Sequence, residues 1–122
     1  MSTFFDNHLE DENDKLVIRS WQREELQLSR QFIQYTTSYS LPNTKMRGLI
    51  FELQPSFDPE EPLYSHPEEE ILYVLEGSCL LTLEGKEYLL NPGDCVHIPA
   101  NAPHSWKNPT AHTAKLFGAY CV

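Results

Sequence analysis

An all-β fold is predicted, and three observations predict it. Short apolar runs recur along the chain, and turn signals separate them about every eight to ten residues. The nine prolines fall almost entirely in those turns rather than within a run. That rhythm is the one expected of a sandwich or barrel. Taken in order, Leu16-Val17-Ile18 is a first short apolar run, and Trp21 to Ser29 carries a weak pattern for a turn or two of helix. Phe32 to Thr37 is rich in aromatic and β-branched residues, as a strand should be. In Met46 to Leu53, Leu49, Phe51 and Leu53 share one face, while Gly48, Ile50 and Glu52 share the other. Further strands are expected at Ile71–Leu75, Cys79–Leu83, Glu87–Leu90, Cys95–Ile98, from His104 onward, and at Ala114–Tyr120. Glu76-Gly77, Glu84-Gly85, Asn91-Pro92-Gly93-Asp94 and Pro99 to Pro103 punctuate them.

Length and composition bound the rest. A chain of 122 residues, 40% hydrophobic, supports a single domain with a real core. The acidic stretch over residues 1–14 reads as a flexible tail, leaving residues 15–122 as the domain. Eighteen acidic against nine basic side chains give a net charge of −9. That balance excludes a general nucleic-acid binder, which needs clustered Lys and Arg, and disfavours anionic membrane surfaces. No run approaches the ~18 apolar residues of a membrane helix, and the opening residues lack the basic and apolar segments of a secretory signal. Three scattered cysteines, Cys79, Cys95 and Cys121, form no zinc pattern. Reduced, mostly buried thiols and a cytoplasmic location are expected.

Chemistry concentrates around two histidines. His66 precedes an apolar strand and is followed by Glu68-Glu69-Glu70, and His104 follows a proline-bounded turn. Two imidazoles and a carboxylate suit a divalent transition metal with open coordination positions. His8 and His112 lie in the tail and a polar loop, and His97 is expected to point outward. Adjacent strand residues face oppositely, so Glu69 should turn away from Glu70. Trp106, two residues after His104, should share its interior face. Neither Cys79 nor Cys95 has a basic neighbour in sequence that would make it reactive.

Residues 64–108 resemble the two motifs of the cupin family, small double-stranded β-helix (jelly-roll) barrels. The first family motif is His-x-His, a Glu after three or four residues, and a Gly after six more. Tyr64-Ser65-His66, Glu70 and Gly77 fit its spacing, so motif 1 spans 64–77. The second is Gly, five residues, Pro-x-Gly, two residues, His, three residues, Asn. Gly93, Pro99-Ala100-Asn101, His104 and Asn108 fit it, so motif 2 spans 93–108. The resemblance implies His66, Glu70 and His104 as ligands to manganese, iron, nickel, copper or zinc. It departs at two places. Asn101 replaces a glycine, which is benign because Asn tolerates a left-handed backbone. Tyr64 replaces the first motif histidine, and a neutral phenol is the poorer ligand. Tyr64 is therefore assigned as a proton donor or relay at the barrel mouth.

The run from Tyr64 to Gly77 is also similar to C-terminal cupin domains of helix-turn-helix regulators. About fifteen residues precede the first expected strand, so direct nucleic-acid contact is not expected. The family resemblance further implies a homodimer formed through N-terminal strands. Three functions stay open: a metal-dependent dioxygenase, isomerase or lyase acting on a small molecule; a non-catalytic ligand-sensing module; and a metal-free cupin using acid–base chemistry of Tyr64, His66 and Glu70.

Overall fold

The computed structural model describes residues 16–38, 41–59 and 65–121. The acidic tail, His8 and Tyr64 lie outside the described residues. Among the described residues, nine strands form two antiparallel sheets: β1 (Glu25–Ser29), β2 (Phe32–Thr36), β3 (Met46–Leu53), β4 (Glu70–Glu76), β5 (Cys79–Leu83), β6 (Lys86–Leu90), β7 (Cys95–Ile98), β8 (His104–Lys107) and β9 (Ala114–Cys121). The larger sheet runs β1-β2-β3-β9-β4-β7 and the smaller β6-β5-β8. Such two-sheet jelly rolls bury one face of each sheet against the other.

Alternation decides which residues meet. Phe51 and Leu53 of β3, Leu72 and Val74 of β4, and Leu116 of β9 point inward from the large sheet. Cys79 and Leu81 of β5 and Trp106 of β8 answer them from the small sheet. Each large apolar side chain so buried contributes about 1.5–3 kcal/mol before entropy is charged against it. Phe51 sits between Phe32, stacked at 5.4 Å, and Trp106, edge-on at 5.4 Å. The expected split of β3 into an apolar inner face and a mixed outer face is observed.

Three expectations are corrected. Leu16 to Ile18 form no strand. Trp21 to Ser29 is not helical either: only Ser20–Gln22 makes a 3-10 turn, and Glu25–Ser29 is an edge strand paired with β2. The Arg30-Gln31 turn brings those residues alongside β2, where a ladder of backbone bonds outweighs a marginal helix nucleus. The thiols are also not mostly buried. Cys79 is, and burial pushes its thiol up to about 12, but Cys95 and Cys121 are exposed because their strand positions face outward.

Two turns show why their residues were needed. Gly77, between β4 and β5, has φ of +68°, and a Cβ there would collide with the Thr113 carbonyl. At the end of β8, Asn108 is fully buried and satisfies every polar atom of its amide. Its Nδ2 donates to the carbonyls of Leu53 and His112, both at 2.8 Å. Its Oδ1 accepts from the Thr110 N–H at 3.0 Å and the Thr110 hydroxyl at 2.7 Å. This one side chain ties the small sheet to the end of β3 and to the loop before β9. Asn108→Ala should therefore cost about 2–4 kcal/mol in urea unfolding, because the buried Leu53 carbonyl loses the Nδ2 donor and the Thr110 N–H loses its acceptor. A loss below ~1 kcal/mol would show that the loop re-satisfies itself.

Candidate metal centre

Each residue of the centre is placed by a different piece of local structure. Glu70 is the first residue of β4 and shares the inward face with Leu72 and Val74. Cross-strand, it faces Tyr120 of β9 on one side and Ile98 of β7 on the other. His104 opens β8, inward like Trp106, after the turn in which the Ala102 N–H donates to the Pro99 carbonyl. Asn101 supplies the left-handed corner of that turn, with φ of 64°. Its own N–H donates to the His66 carbonyl at 2.8 Å, so one backbone bond fastens the two motifs together.

The three side chains converge. His66 Nε2 lies 3.2 Å and His104 Nε2 3.9 Å from the same Glu70 oxygen, Oε1. All three donor atoms fall within 4.8 Å of one another, and the imidazole rings meet edge-on at 4.9 Å. His104 is buried, Glu70 leaves 11% of its side chain exposed and His66 27%.

Backbone carbonyls fix the tautomers. His66 Nδ1–H donates to the Glu68 carbonyl and His104 Nδ1–H to the Ala102 carbonyl, each at 2.9 Å. A carbonyl only accepts, so Nδ1 carries the proton in both rings, and in a neutral imidazole Nε2 presents its lone pair. Two imidazole lone pairs and a carboxylate therefore point at one small volume. Acceptors at this separation repel unless a proton or a cation lies between them. The donor set, the anchored tautomers and the burial fit a borderline divalent metal.

The centre opens into a cavity of about 260 Å³. Leu28, Phe32, Leu49, Phe51 and Trp106 provide its apolar walls; Gln34, Glu68 and Tyr120 join the three centre residues as its polar groups. Trp106 thus serves as both pocket wall and core residue. Glu68, expected in a solvated turn, also borders the cavity. Gln34 and Tyr120 were not singled out from sequence; the alternation of β2 and β9 was the signal that could have marked them as inward.

Other expected placements are observed. Glu69 turns away from Glu70 and meets His97 at 2.6 Å on the exposed face. His112 lies in an exposed loop and enters the network of Asn108 through its backbone carbonyl.

Comparison with known proteins agrees with this geometry. The Cupin domain family model matches residues 49–121, which includes both motifs and the whole centre. The chain belongs to the cupin family. Among curated relatives, this cupin is 32% identical over 117 residues to a quercetin 2,3-dioxygenase of Bacillus subtilis, covering 93% of this chain and 33% of that protein. It is 28% identical over 121 residues to the transcriptional regulator PuuR of Escherichia coli, covering 98% of this chain and 64% of the regulator. The chain thus spans a third of one relative and just under two thirds of the other. Among solved structures, hydroxypropylphosphonic acid epoxidase from S. wedmorenis superposes with a TM-score of 0.75 at 19% identity, over 85% of this chain and 58% of that one.

The opposed faces of neighbouring glutamates give a direct test. Glu70→Gln should lower metal affinity at least tenfold by removing the anionic donor, whereas Glu69→Gln, on the outer face, should leave it within twofold. Equal losses in a competitive chelator titration would mean that the orientation of β4 is not what sets the ligand.

Proposed function

We propose that this cupin binds a divalent transition metal through His66, Glu70 and His104 and a small organic molecule in the adjoining cavity, on which it acts as a metal-dependent enzyme. The observation that carries this reading is the convergence of three lone-pair donors, within 4.8 Å, at a cavity lined largely by apolar side chains. When bound, manganese, iron, nickel, copper or zinc would supply Lewis acidity, and the redox-active ones dioxygen chemistry. The chain's own contributions are distinct from that. His66 and His104 are held by their Nδ1–H bonds so that only Nε2 is offered. Phe51 and Trp106 exclude water from the inner wall. Tyr64, two residues before His66, is assigned the donation or relay of a proton to the bound molecule. Oxidation, isomerisation and lyase reactions of oxygenated small molecules are all compatible with this set.

A second reading is a ligand-sensing module without turnover. It is supported by the similarity to PuuR, which runs along 98% of this chain. The two readings divide on one comparison: turnover of a broad panel by the metal-loaded protein favours the enzyme, while binding with no turnover favours the sensor.

We also propose that the chain forms a homodimer through the outer face of the large sheet rather than through its N-terminal strands. Met46, Ile71, Tyr73, Leu75 and Phe117 lie on that face and are 64, 55, 44, 42 and 40% exposed. Tyr73 sits directly cross-strand from Phe117, and Phe117 from Ile50, so the apolar residues form one patch across β3, β9 and β4. Together the five present on the order of 500 Å², near the upper end for a monomer's largest patch. Pairing two copies would bury about 1,000 Å² from these residues alone, the threshold for a specific interface.

Elemental analysis of the purified protein should find about one equivalent of a transition metal per chain, reduced at least tenfold in His104→Ala with the far-ultraviolet circular dichroism of the barrel retained. No metal, even after each ion is added back, would sink the metal-dependent reading and favour acid–base chemistry. Tyr64→Phe should keep the metal and lose turnover on any substrate found. Sedimentation should show a dimer that Phe117→Lys converts to monomer; dissociation by Leu26→Lys on the exposed β1 instead would return the interface to the N-terminal strands.

A further inference from the structure

Among the described residues, Arg47 of β3 is a cation with no anion to meet. Alternation along β3 puts it on the same face as Leu49, Phe51 and Leu53, so its side chain leaves the strand on the cavity side. Cross-strand it faces Tyr120 of β9, and Tyr120 in turn faces Glu70 of β4. Arg47, Tyr120 and Glu70 therefore form one row across three strands, at the end of the barrel where the metal centre lies. Two strand spacings, about 10 Å, separate the Cα atoms at the ends of that row. Leu49 and Tyr120 border the cavity, and Arg47 stands one step beyond them at its margin.

The guanidinium is poorly satisfied there. Its Nη2 donates to the Ser38 carbonyl at 3.3 Å, a long bond to a neutral acceptor. Its Nε is, among the described residues, the one buried side-chain nitrogen or oxygen without a hydrogen-bond partner. Leaving a charged donor buried and unsatisfied costs more than leaving a neutral one. Acids are not in short supply, since they outnumber bases 18 to 9. Those close by in the sheet are engaged elsewhere: Glu70 with His66 and His104, and Glu52, on the outer face of β3, with Lys115. Among the described residues, no carboxylate pairs with Arg47.

A fork of donors beside a cavity, with one arm shielded from water and unpaired, is an arrangement that a ligand carboxylate completes. The two oxygens of a planar carboxylate match the spacing of Nε–H and an Nη–H, so one group satisfies both donors. A doubly charged phosphate fits less well, because Glu68 and Glu70 border the same cavity. The row also sets where the rest of the ligand goes. From Arg47 it crosses Tyr120 to the His66–Glu70–His104 end, and a cavity of about 260 Å³ holds only a short body between them.

We propose that Arg47 is the anion-reading residue of this cavity. It takes the carboxylate of a short monocarboxylic acid through Nε–H and an Nη–H, at the opposite end of the row from the metal centre. The assignment rests on the reading of the cavity as a small-molecule site given above, and gives Arg47 no part in holding the metal.

The test compares 5-hydroxypentanoate with its uncharged isostere 5-hydroxypentanamide in NMR titrations of the zinc-loaded and the metal-free chain. The Arg47 Nε–H signal, identified by its loss in Arg47→Lys, should move downfield with the acid and stay in place with the amide. The acid should bind at least tenfold more tightly than the amide. Arg47→Met should remove that preference while zinc content stays at the wild-type level. Arg47→Lys, which keeps the charge and loses the fork, should retain only part of it. Equal binding of acid and amide by the wild type, no binding of either, or tighter binding of inorganic phosphate than of the acid would each overturn the proposal. So would a full preference in either variant, and Arg47→Lys decides if Arg47→Met does not fold. Failure to take up zinc would count against the metal-centre reading alone, because the metal-free titrations still compare acid with amide.

Discussion

The alternation of β4 is the constraint on which the rest of the molecule depends. Glu70, Leu72 and Val74 share one face, so the register that buries two core side chains also delivers a carboxylate to the rim of that core. A slip of one residue would put Ile71 and Tyr73 inside and exchange Glu70 for Glu69. Core and centre are thus specified by one register, held from both sides by β9 and β7. Glu70 gains its position from hydrophobic burial further along its own strand.

A second economy lies in the backbone around the histidines. The carbonyls of Glu68 and Ala102 would need donors in any case, and the imidazole Nδ1–H groups provide them. The same bonds decide which nitrogen faces Glu70. The Asn101 N–H, bonded to the His66 carbonyl, keeps two segments far apart in sequence at a fixed distance. Preorganisation of this kind lowers the entropy lost when a ligand is bound.

Much of this was legible in the sequence. The strands from Phe32 onward follow from β-branched and aromatic runs between Gly, Pro and Asn turns, and those are local signals. Motif spacing singled out His66, Glu70 and His104, and period-two alternation separated Glu69 from Glu70. The region before Phe32 was not legible. Leu26 and Leu28 gain their strand only by pairing with β2, and a weak helical pattern carries no notice of such a neighbour. The thiols misled for a related reason: Cys is often buried, but Cys95 and Cys121 occupy outward positions whose cover depends on what packs outside the sheet.

By itself the sequence determined the β class, the turn positions, the order of the motifs and the chemical types of the donors, because each depends on residues close together in the chain. Only the tertiary structure decided that Glu70 Oε1 is shared by two imidazoles, that Asn108 joins the sheets, and that Gln34 and Tyr120 open onto one cavity. Those facts relate residues on different strands, and their separations are set by sheet order and curvature. Strand order β3-β9-β4 brings the last strand of the chain between two earlier ones, and no local pattern encodes that insertion.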